Sequence, residues 1–509
     1  MKKMTLKKLF GGICCAAMAL FAVSCAQGVD DETFSSGVSN VQLTSPDVEG
    51  FVISSQTNSD GSESLVVEWP QVYGAGGYYV TVAVVDDPAN PKYLFVRGQA
   101  HEGEGEDVYI DGCRIVFEKI EDTNYEVRVR TAGNEKLNNK EAAEASVFAY
   151  STLVPAEKIL HAENPDIAEF INKYMADNAE SLLASHQADA NFEIAFELEA
   201  GKEYTMNDKI DLGLITTTIR TDSKTNNARV IMGETSGFVI QAGLKVKFVD
   251  FDCTASTQNA FFELSSTPDE SIKDANLLYK GGTATYKQLG AGKGAYIIED
   301  PIVLQDAMVK NMPKSFVYSS KGYGIMDLRI VRSIVQMKNE SGKAFILLQG
   351  GNTGIKDMTI SESTVFDLAN KGFFFIALNN QNRPKVFGSP ASTSAWRFEA
   401  STLYFTGKRC DRTKNDSGHT NYFTDMIFYN IQQLNRLYGN FEYTNTTVFE
   451  DSGSAQSYDA EVAAGGAPVN PGFVGPIAEL DLTVENGGVN LCPTSAPCVD
   501  GKRGDPRWF

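Results

Sequence analysis

The chain has 509 residues, with 45 Lys and Arg, 65 Asp and Glu, and a formal net charge of −20 at pH 7. This length predicts more than one domain. The charge excludes electrostatic binding of nucleic acid, which requires a basic surface. Neutral and cationic glycans stay compatible with it, whereas a polyanionic glycan such as pectate would need local basic patches or bound calcium.

The N-terminus has the pattern of a lipoprotein signal peptide. Lysines open the chain, and an apolar run that ends at Val23 leads to Cys25. The run is short for a membrane span, so the pattern predicts a signal peptide over 1–24 and lipidation of Cys25. Residues 25–40 are predicted to be a flexible tether, and the acids at 30–32 resemble the surface-export tag of Bacteroidetes lipoproteins. The alternative is ordinary cleavage that releases a soluble periplasmic protein.

Residues 41–152 alternate apolar and polar side chains, as strands with one buried face do. The predicted inward faces are Leu65, Val67 and Trp69; Tyr78, Val80, Val82 and Val84; and Tyr125, Val127 and Val129. An early tryptophan strand and a late tyrosine corner make the segment resemble a fibronectin type III domain. The resemblance implies a sandwich that spaces the next domain from the membrane. Ligand binding is the alternative, and no residue in the pattern marks a site for it.

Residues 153–189 are predicted to hold a linker and one amphipathic helix. Apolar residues recur at helical spacing after the start signal Asn164-Pro165-Asp166. They are Ile167, Phe170, Ile171, Tyr174 and Met175. This apolar face predicts a cap over the open end of the structure that follows. A partner-binding helix is the alternative.

Residues 190–509 repeat the spacing apolar-x-apolar-x-x-small-x-apolar. The copies are Val246, Phe248, Phe251 and Cys253; Ile302, Leu304, Ala307 and Val309; Leu328, Ile330, Ser333 and Val335; Met358, Ile360, Ser363 and Val365; Trp396, Phe398, Ser401 and Leu403; and Phe441, Tyr443, Thr446 and Val448.

This spacing favours short strands that meet at a corner. Alternating apolar residues form a strand with one buried face, and the gap of two residues reverses which side faces inward. One such coil buries little surface, but stacked coils bury a continuous core and align the small corner residues as a polar ladder. The predicted fold is therefore all-β: a fibronectin type III-like sandwich, then a right-handed parallel β-helix with an N-terminal capping helix. A β-sandwich with coincidental spacing is the alternative for the second half.

The order of these segments carries a family resemblance. Lipoprotein signal, fibronectin-like module and β-helix are followed by an ending that runs from VNPGFVGPIAELDLTVENG to GDPRWF. The chain resembles Bacteroidetes surface lipoproteins built from two domains of unknown function, with a pectate-lyase-like β-helix. The resemblance implies an association with polysaccharide-utilisation systems, and it specifies architecture more closely than activity.

Outward positions must carry the function. One column of the aligned copies reads Gln336, Phe366, Tyr404 and Phe449. Because stacked coils lie about 4.8 Å apart, the three aromatic residues are predicted to form an outward ladder that stacks on sugar rings. The alternative is that a long loop, such as residues 408–440, covers them.

A second column places Asp306, Arg332 and Glu362 on adjacent coils. The pectate lyases that the resemblance brings in hold calcium with acidic residues and use an Arg or Lys as the base that removes the proton alpha to a uronate carboxylate. These three residues are the catalytic candidates, and calcium would be the cofactor of such a lyase. The alternative is a solvated ladder of ion pairs.

Cysteines and a C-terminal tripeptide complete the list of candidates. Cys492 and Cys498 are predicted to form a disulfide. No Cys/His spacing predicts a metal site. Near the Arg-Gly-Asp at residues 503–505 we expect Trp508 and Phe509 to pack against the last coil, and an integrin contact is the alternative.

Together these features predict a lipid-anchored outer-membrane protein that faces the cell exterior. Its favoured function is non-catalytic binding of a polysaccharide beside a glycan-uptake complex, without a cofactor and without nucleic acid. The alternatives are a lyase or hydrolase of uronate-rich polymers and a structural or adhesive surface protein.

Overall fold

A computed structural model divides the chain into two units, Met1–Leu153 and Val154–Phe509. The predicted signal peptide, Cys25 and Cys410 lie outside the described residues. The described residues are 38–58, 63–87, 89–98, 101–274, 278–280, 286–288, 294–338, 341–350, 353–367, 375–378, 394–409, 419–437, 439–450, 461–462, 464–473 and 491–509.

The first unit consists of two antiparallel sheets. One 5-stranded sheet has the order β1-β2-β8-β5-β6, and the other has the order β10-β9-β3-β4 with β7 also paired to β3. Short 3-10 helices lie at Val48–Gly50 and Glu135–Leu137. The strands are β1 (Val52–Thr57), β2 (Glu63–Glu68), β3 (Gly77–Val84), β4 (Lys92–Tyr93), β5 (Phe95–Arg97), β6 (Glu102–Glu104), β7 (Val108–Ile110), β8 (Arg114–Glu118), β9 (Asn124–Ala132) and β10 (Ser146–Ser151).

The core of this unit lies between the predicted inward faces. All of the inward residues named above are buried except Val84, which is half-buried. The ring of Trp69 meets that of Tyr78 edge-on at 5.5 Å. The Tyr125 hydroxyl donates to the Ile120 carbonyl at 3.0 Å and accepts from the Ile120 N–H at 2.6 Å. Burial raises the pKa of Tyr125 to about 12, so this corner stays neutral and hydrogen-bonded.

The second unit is a stack of short strands with two helices at its start. The α-helices are α1 (Ile167–Asp177), α2 (Ala179–Ala188) and α3 (Ala496–Val499), and 3-10 helices lie at Glu270–Ile272, Leu434–Leu437 and Pro506–Trp508. The strands are β11 (Ala156–Leu160), β12 (Glu193–Leu198), β13 (Glu203–Met206), β14 (Lys209–Asp211), β15 (Thr216–Thr221), β16 (Ala228–Met232), β17 (Gly237–Ile240), β18 (Leu244–Lys247), β19 (Val249–Asp252), β20 (Ala260–Leu264), β21 (Lys273–Asp274), β22 (Leu278–Lys280), β23 (Tyr286–Gln288), β24 (Ala295–Ile298), β25 (Ile302–Gln305), β26 (Met308–Met312), β27 (Ser315–Ser319), β28 (Tyr323–Val331), β29 (Ile334–Met337), β30 (Ile346–Leu348), β31 (Gly354–Ser361), β32 (Thr364–Asp367), β33 (Ile376–Leu378), β34 (Ser394–Glu399), β35 (Thr402–Arg409), β36 (His419–Thr424), β37 (Ile427–Gln432), β38 (Asn440–Thr444) and β39 (Thr447–Phe449).

These strands form three long sheets that successive coils build together. Sheet one has the order β11-β12-β15-β18-β25-β28-β31-β34-β36-β38, with β21 and β24 beside it. Sheet two has the order β13-β16-β19-β26-β29-β32-β35-β37-β39, and sheet three has the order β14-β17-β20-β27-β30-β33. Pairing along all three orders is parallel. The long parallel sheets confirm a β-helix-like, mostly β fold, and the right-handed sense stays a prediction.

The corner between sheets one and two explains the repeated spacing. One residue per corner adopts a left-handed backbone, which reverses the side on which the next residues point. The residue after it is small or apolar and faces inward. The corner residues in the aligned coils are Phe248 (φ 57°), Asp306 (48°), Arg332 (44°), Glu362 (48°), Ala400 (43°), Asp425 (55°) and Asn445 (46°).

A ladder of small polar residues runs along the inside of this corner. The N–H of Ser333 donates to the Ser363 hydroxyl at 3.0 Å, and the N–H of Ser363 donates to the Ser401 hydroxyl at 2.9 Å. Each of these serines is fully buried. The predicted polar ladder is confirmed, and it satisfies backbone groups that the turn removes from the sheets.

One predicted copy is out of register, and a coil between two other copies was not predicted. The first copy is displaced by two residues, because Leu244 and Val246 pair with Ile302 and Leu304. Phe248 is a corner residue in left-handed conformation and not a strand residue. A further coil lies in the segment 408–440, which we expected to be a loop. Its inward residues are Asn421, Phe423, Met426 and Phe428.

Helix α1 covers the open end of the first coil. The Asp166 carboxylate accepts from the N–H groups of Ala168 at 3.1 Å and Glu169 at 3.4 Å, which starts the helix. Ile167 and Ile171 are fully buried in the core of the coils. Burial of each such side chain stabilises the folded state by roughly 1.5–3 kcal/mol. Among the described residues, no helix has the length and apolar character needed to cross a membrane.

Candidate functional site

The predicted catalytic residues lie at the corner on adjacent coils. The N–H of Asp306 donates to the Val331 carbonyl at 3.0 Å, and the N–H of Arg332 donates to the Ser361 carbonyl at 2.9 Å. Asp306, Arg332 and Glu362 therefore follow one another along the stack. Their left-handed backbones direct all three side chains outward from the turn.

Arg332 is held in an ion pair that removes its value as a base. Its Nε and Nη2 donate to the two oxygens of Asp306, each at 2.7 Å. This hydrogen bond, with the nearby charge of Glu362, raises the pKa of Arg332. A general base must be able to lose its proton at the working pH, and this guanidinium cannot. The side chains of Arg332 and Asp306 are 45 % and 23 % exposed. The geometry therefore supports the alternative of a partly solvated ion pair.

Within the described ranges, no group of three or more His, Cys, Asp or Glu side chains is placed to hold a metal ion.

The predicted aromatic column exists in register. Gln336 pairs with Phe366, Phe366 with Tyr404, Tyr404 with Tyr429, and Tyr429 with Phe449. Tyr429 was missed because its coil was assigned to a loop. The rings of Tyr404 and Tyr429 stack at 4.4 Å with an interplanar angle of 11°.

This column is largely covered, with Phe366 fully buried and Tyr404 half-buried. Phe366 is fully buried in a cluster with Leu491 and Trp508. The ring of Phe473 lies 6.0 Å from that of Tyr404. These covering residues come from the C-terminal part of the chain, not from residues 408–440.

Phe449, at the end of the column, is half-buried and packs in a cluster with Val469. The prediction that Phe366, Tyr404 and Phe449 form an exposed platform for sugar rings is therefore wrong. The physical reason is that an aromatic residue in an outward position gains more free energy from burial under a covering segment than from exposure.

The covering segment, here called the C-terminal strap (residues 491–509), is fixed by polar contacts to the coils. Asp505 is fully buried and accepts from the Thr364 hydroxyl at 2.7 Å. Arg507 donates to Asp505 at 2.9 Å and to the carbonyls of Ser333 at 2.9 Å and Glu362 at 3.1 Å. Single side chains of the strap thus bridge several coils.

These contacts also determine whether the Arg-Gly-Asp sequence is accessible to a partner. Because the side chain of Asp505 is inaccessible, the suggested integrin contact is wrong. Trp508 packs against β32, where its Nε1 donates to the Thr364 hydroxyl at 2.8 Å, and not against the last coil. Phe509 is 48 % exposed.

The predicted disulfide is absent, because Cys492 and Cys498 are both free cysteines. Cys498 is buried beside Ile427, and Cys492 packs in the cluster of Phe366. Burial raises the pKa of the Cys492 thiol, which favours the protonated, unreactive form.

The outward face of sheet one differs from that of sheet two in its last coils. Thr359 pairs with Arg397, Arg397 with Tyr422, and Tyr422 with Glu442, so these side chains form one outward column. The Arg397 guanidinium lies 4.5 Å from the centre of the Tyr422 ring. Arg397 and Glu442 are exposed. We call this column the sheet-one column.

Three strands near the start of the same sheet, β12, β15 and β18, carry charged side chains that are mostly buried. Lys245 contacts Glu193 at 2.6 Å, and Arg220 contacts Glu197 at 3.3 Å. All four side chains are less than one-fifth exposed. Charged groups on β12, β15 and β18 are thus paired with one another, whereas β11 and the last coils carry exposed side chains.

The first unit carries a groove of about 580 Å³ over the outward face of β3. Thr81 and Ala83 form its floor, since both point away from the core yet are nearly inaccessible. Tyr93 on β4 and Arg128 on β9 line it from the two neighbouring strands. The alternating polar residues of β9 are the available signal, and the sequence pattern did not assign any of them to a site.

Two family models match consecutive parts of the chain, and the boundary between them differs from the boundary between the two compact units. Residues 1–201 match the model of DUF4992, described as a domain of unknown function. Residues 202–368 match the model of DUF4957, also described as a domain of unknown function. The predicted combination of two such domains is thereby confirmed, and the boundary between the matches lies between β12 and β13. No curated protein matches the chain.

Proposed function

We propose that the protein is a surface-anchored, non-catalytic glycan-binding lipoprotein that serves a polysaccharide-uptake system. The observation that carries the proposal is the sheet-one column, in which Thr359, Arg397, Tyr422 and Glu442 occupy the same outward position on successive coils. Evenly spaced outward groups suit a polymer that lies along the stack.

The chemistry of the column fits a hydroxyl-rich chain. Arg397 and Glu442 offer donors and acceptors, and the ring of Tyr422 offers an apolar surface for sugar C–H groups. The guanidinium over the ring holds both side chains in place, which reduces the entropy lost on binding. The ion pair of Arg332 with Asp306 favours binding without catalysis.

The architecture supports the same role. In this proposal the first unit is a fibronectin type III-like spacer, supported by its two antiparallel sheets and the Tyr125 corner. The second unit is a right-handed β-helix of the pectate-lyase type that presents the binding face. Cys25 carries the lipid anchor in the outer membrane, facing the cell exterior.

Native affinity electrophoresis tests the proposal. The mature chain with Cys25→Ser is run through gels that contain pectic, hemicellulosic or host-mucin glycans, and the gels are then stained for polysaccharide. We expect at least one glycan to retard the protein with its stain intact, and Arg397→Ala and Tyr422→Ala to restore mobility.

The matched control is Arg229→Ala, which removes another exposed arginine, from β16 of sheet two. It should migrate as the parent protein does. A cleared track would instead indicate an enzyme, and retardation that survives both substitutions in the sheet-one column would place binding elsewhere.

A further inference from the structure

We infer that the groove on the first unit is a second binding site, and that its ligand is a neutral saccharide. The inference rests on the proposed function for the class of ligand, but the site lies in a different unit of the chain. Its volume of about 580 Å³ falls within the range of small-molecule sites, about 300–1,000 Å³.

The floor of the groove lets a ligand approach the backbone of β3 closely. Thr81 and Ala83 are small and are 8 % and 4 % exposed, although they lie on the outward face of the sheet. The Thr81 hydroxyl accepts the N–H of Asp107 at 2.9 Å, which ties the loop before β7 to this floor. The concave shape is therefore built by hydrogen bonds and strand pairing.

Each charged group along the groove already has a hydrogen-bonding partner, and four of them form ion pairs. Arg130 donates to Asp107 at 3.0 Å and contacts Glu141 at 3.1 Å. Arg128 donates to Glu126 at 2.6 Å. An anionic ligand would meet the carboxylates that hold these arginines, and a cationic ligand would meet the arginines themselves, so the paired groups strongly favour neither sign of charge. A neutral, hydroxyl-rich ligand can donate to the remaining lone pairs of the carboxylates and accept from the remaining N–H groups of the arginines, without breaking any ion pair.

Two tyrosines supply the apolar surface that sugar rings require. The Arg130 guanidinium lies 4.7 Å from the centre of the Tyr79 ring, and the Tyr93 hydroxyl is hydrogen-bonded to Glu106. Both rings are thus held before a ligand arrives, and a rigid site loses less entropy on binding. Paired charges, fixed aromatic rings and a small floor together define a site for a neutral sugar unit.

Saturation-transfer NMR on the full mature chain tests the inference. The probes are the methyl glycosides of glucose, galactose and mannose, each added singly. We expect transfer to at least one of them, and we expect Ala83→Phe, which fills the floor, to weaken its binding by at least about tenfold. Arg128→Ala, a change at an exposed side chain, should weaken it severalfold without affecting folding.

The matched control is Ala184→Phe, which adds the same ring to an exposed position of α2 in the second unit. It should leave the transfer unchanged. Equal transfer in the parent protein and both groove variants, or no transfer to any of the three probes, would overturn the inference.

The two proposed binding sites can be disproved independently of each other. Arg397→Ala should abolish retardation in glycan gels but leave the transfer to methyl glycosides unchanged. If the groove variants lose transfer while Arg397→Ala has no effect on the gels, the sheet-one column is wrong and the groove stands. The reverse pattern leaves the proposed function intact and removes the groove.

Discussion

The outward faces of sheets one and two are built by the same coils but meet different environments. On sheet two, the column from Phe366 to Phe449 lies beneath the C-terminal strap and its neighbours. On sheet one, Arg397 and Glu442 remain exposed. An aromatic residue at an outward position is therefore not evidence of a binding surface until the segments that pack over it are known.

The difference follows from how each face satisfies its side chains. The strap buries Asp505 and bonds it to Thr364 and Arg507, so the covered face is closed by specific hydrogen bonds as well as by apolar contact. The sheet-one column has the exposed Arg397 stacked over Tyr422. The contacts of the strap stabilise the fold, whereas the sheet-one column leaves polar groups and an aromatic ring available to a ligand.

Removal of an aromatic side chain should give the largest difference between the two faces. Phe366→Ala leaves a cavity beneath the strap and should lower the free energy of unfolding by about 3–5 kcal/mol. Tyr422→Ala should lower it by about 1 kcal/mol or less, because its ring is partly solvated. Urea denaturation checks both values, and similar losses would mean that the two faces are equally covered.

The buried carboxylate of the strap should have the next largest effect. Asp505→Ala leaves Arg507 and Thr364 without their acceptor and should cost about 3 kcal/mol. Asp500→Ala, at an exposed position of the same strap, should change stability by less than about 0.5 kcal/mol. Equal melting curves for the two variants would contradict the clamping role of Asp505.

A buried histidine beneath the sheet-one column should make stability depend on pH. His419 is fully buried beside Ser394 and Trp396, and burial lowers its pKa to about 4. An unfolded chain takes up this proton near pH 6.5, whereas the folded chain does so only near pH 4. The free energy of unfolding should therefore decrease as pH falls through this window, by about 3 kcal/mol.

Denaturation of the parent and of His419→Gln at several pH values measures this contribution. The variant should be less stable at neutral pH and should lose less stability on acidification. A parallel pH dependence in both proteins would show that His419 is accessible to protons in the folded state.

The corner ion pair should have the smallest effect. Because Arg332 and Asp306 are partly exposed, a double-mutant cycle with alanine at both positions should give a coupling energy of about 0.2–1 kcal/mol that shrinks at high salt. A coupling of several kcal/mol would indicate a desolvated site and would reopen the catalytic interpretation of these residues.

The coil stack was accessible to sequence reasoning because its signal is local. Leu328, Ile330, Ser333 and Val335 lie within one strand–corner–strand unit, and the unit repeats. The missed coil fails the pattern because Asn421 and Met426 occupy positions where an apolar and a small residue were required. The inward side chains of this coil are buried because strands of the neighbouring coil pair with it and complete the packing.

The strap and the groove were not accessible in this way. Thr364 and Asp505 are 141 residues apart, and nothing near either residue signals the other. The column of aromatic residues was correct in register, but its burial depends on that distant segment. In the first unit, Arg128 and Arg130 alternate as any solvated strand would, and only the neighbouring strands turn them into the side of a groove.

Hydroxyl-radical footprinting of the mature protein, with and without a glycan that retards it in gels, tests the central claim most directly. The account predicts that Tyr422 is oxidised readily in the free protein and is protected by the glycan. It predicts slow oxidation of Phe366 and Trp508 in both states. Rapid oxidation of Phe366, or protection by the glycan along the strap while Tyr422 is unchanged, would contradict the assignment of an open face to sheet one and a closed face to sheet two.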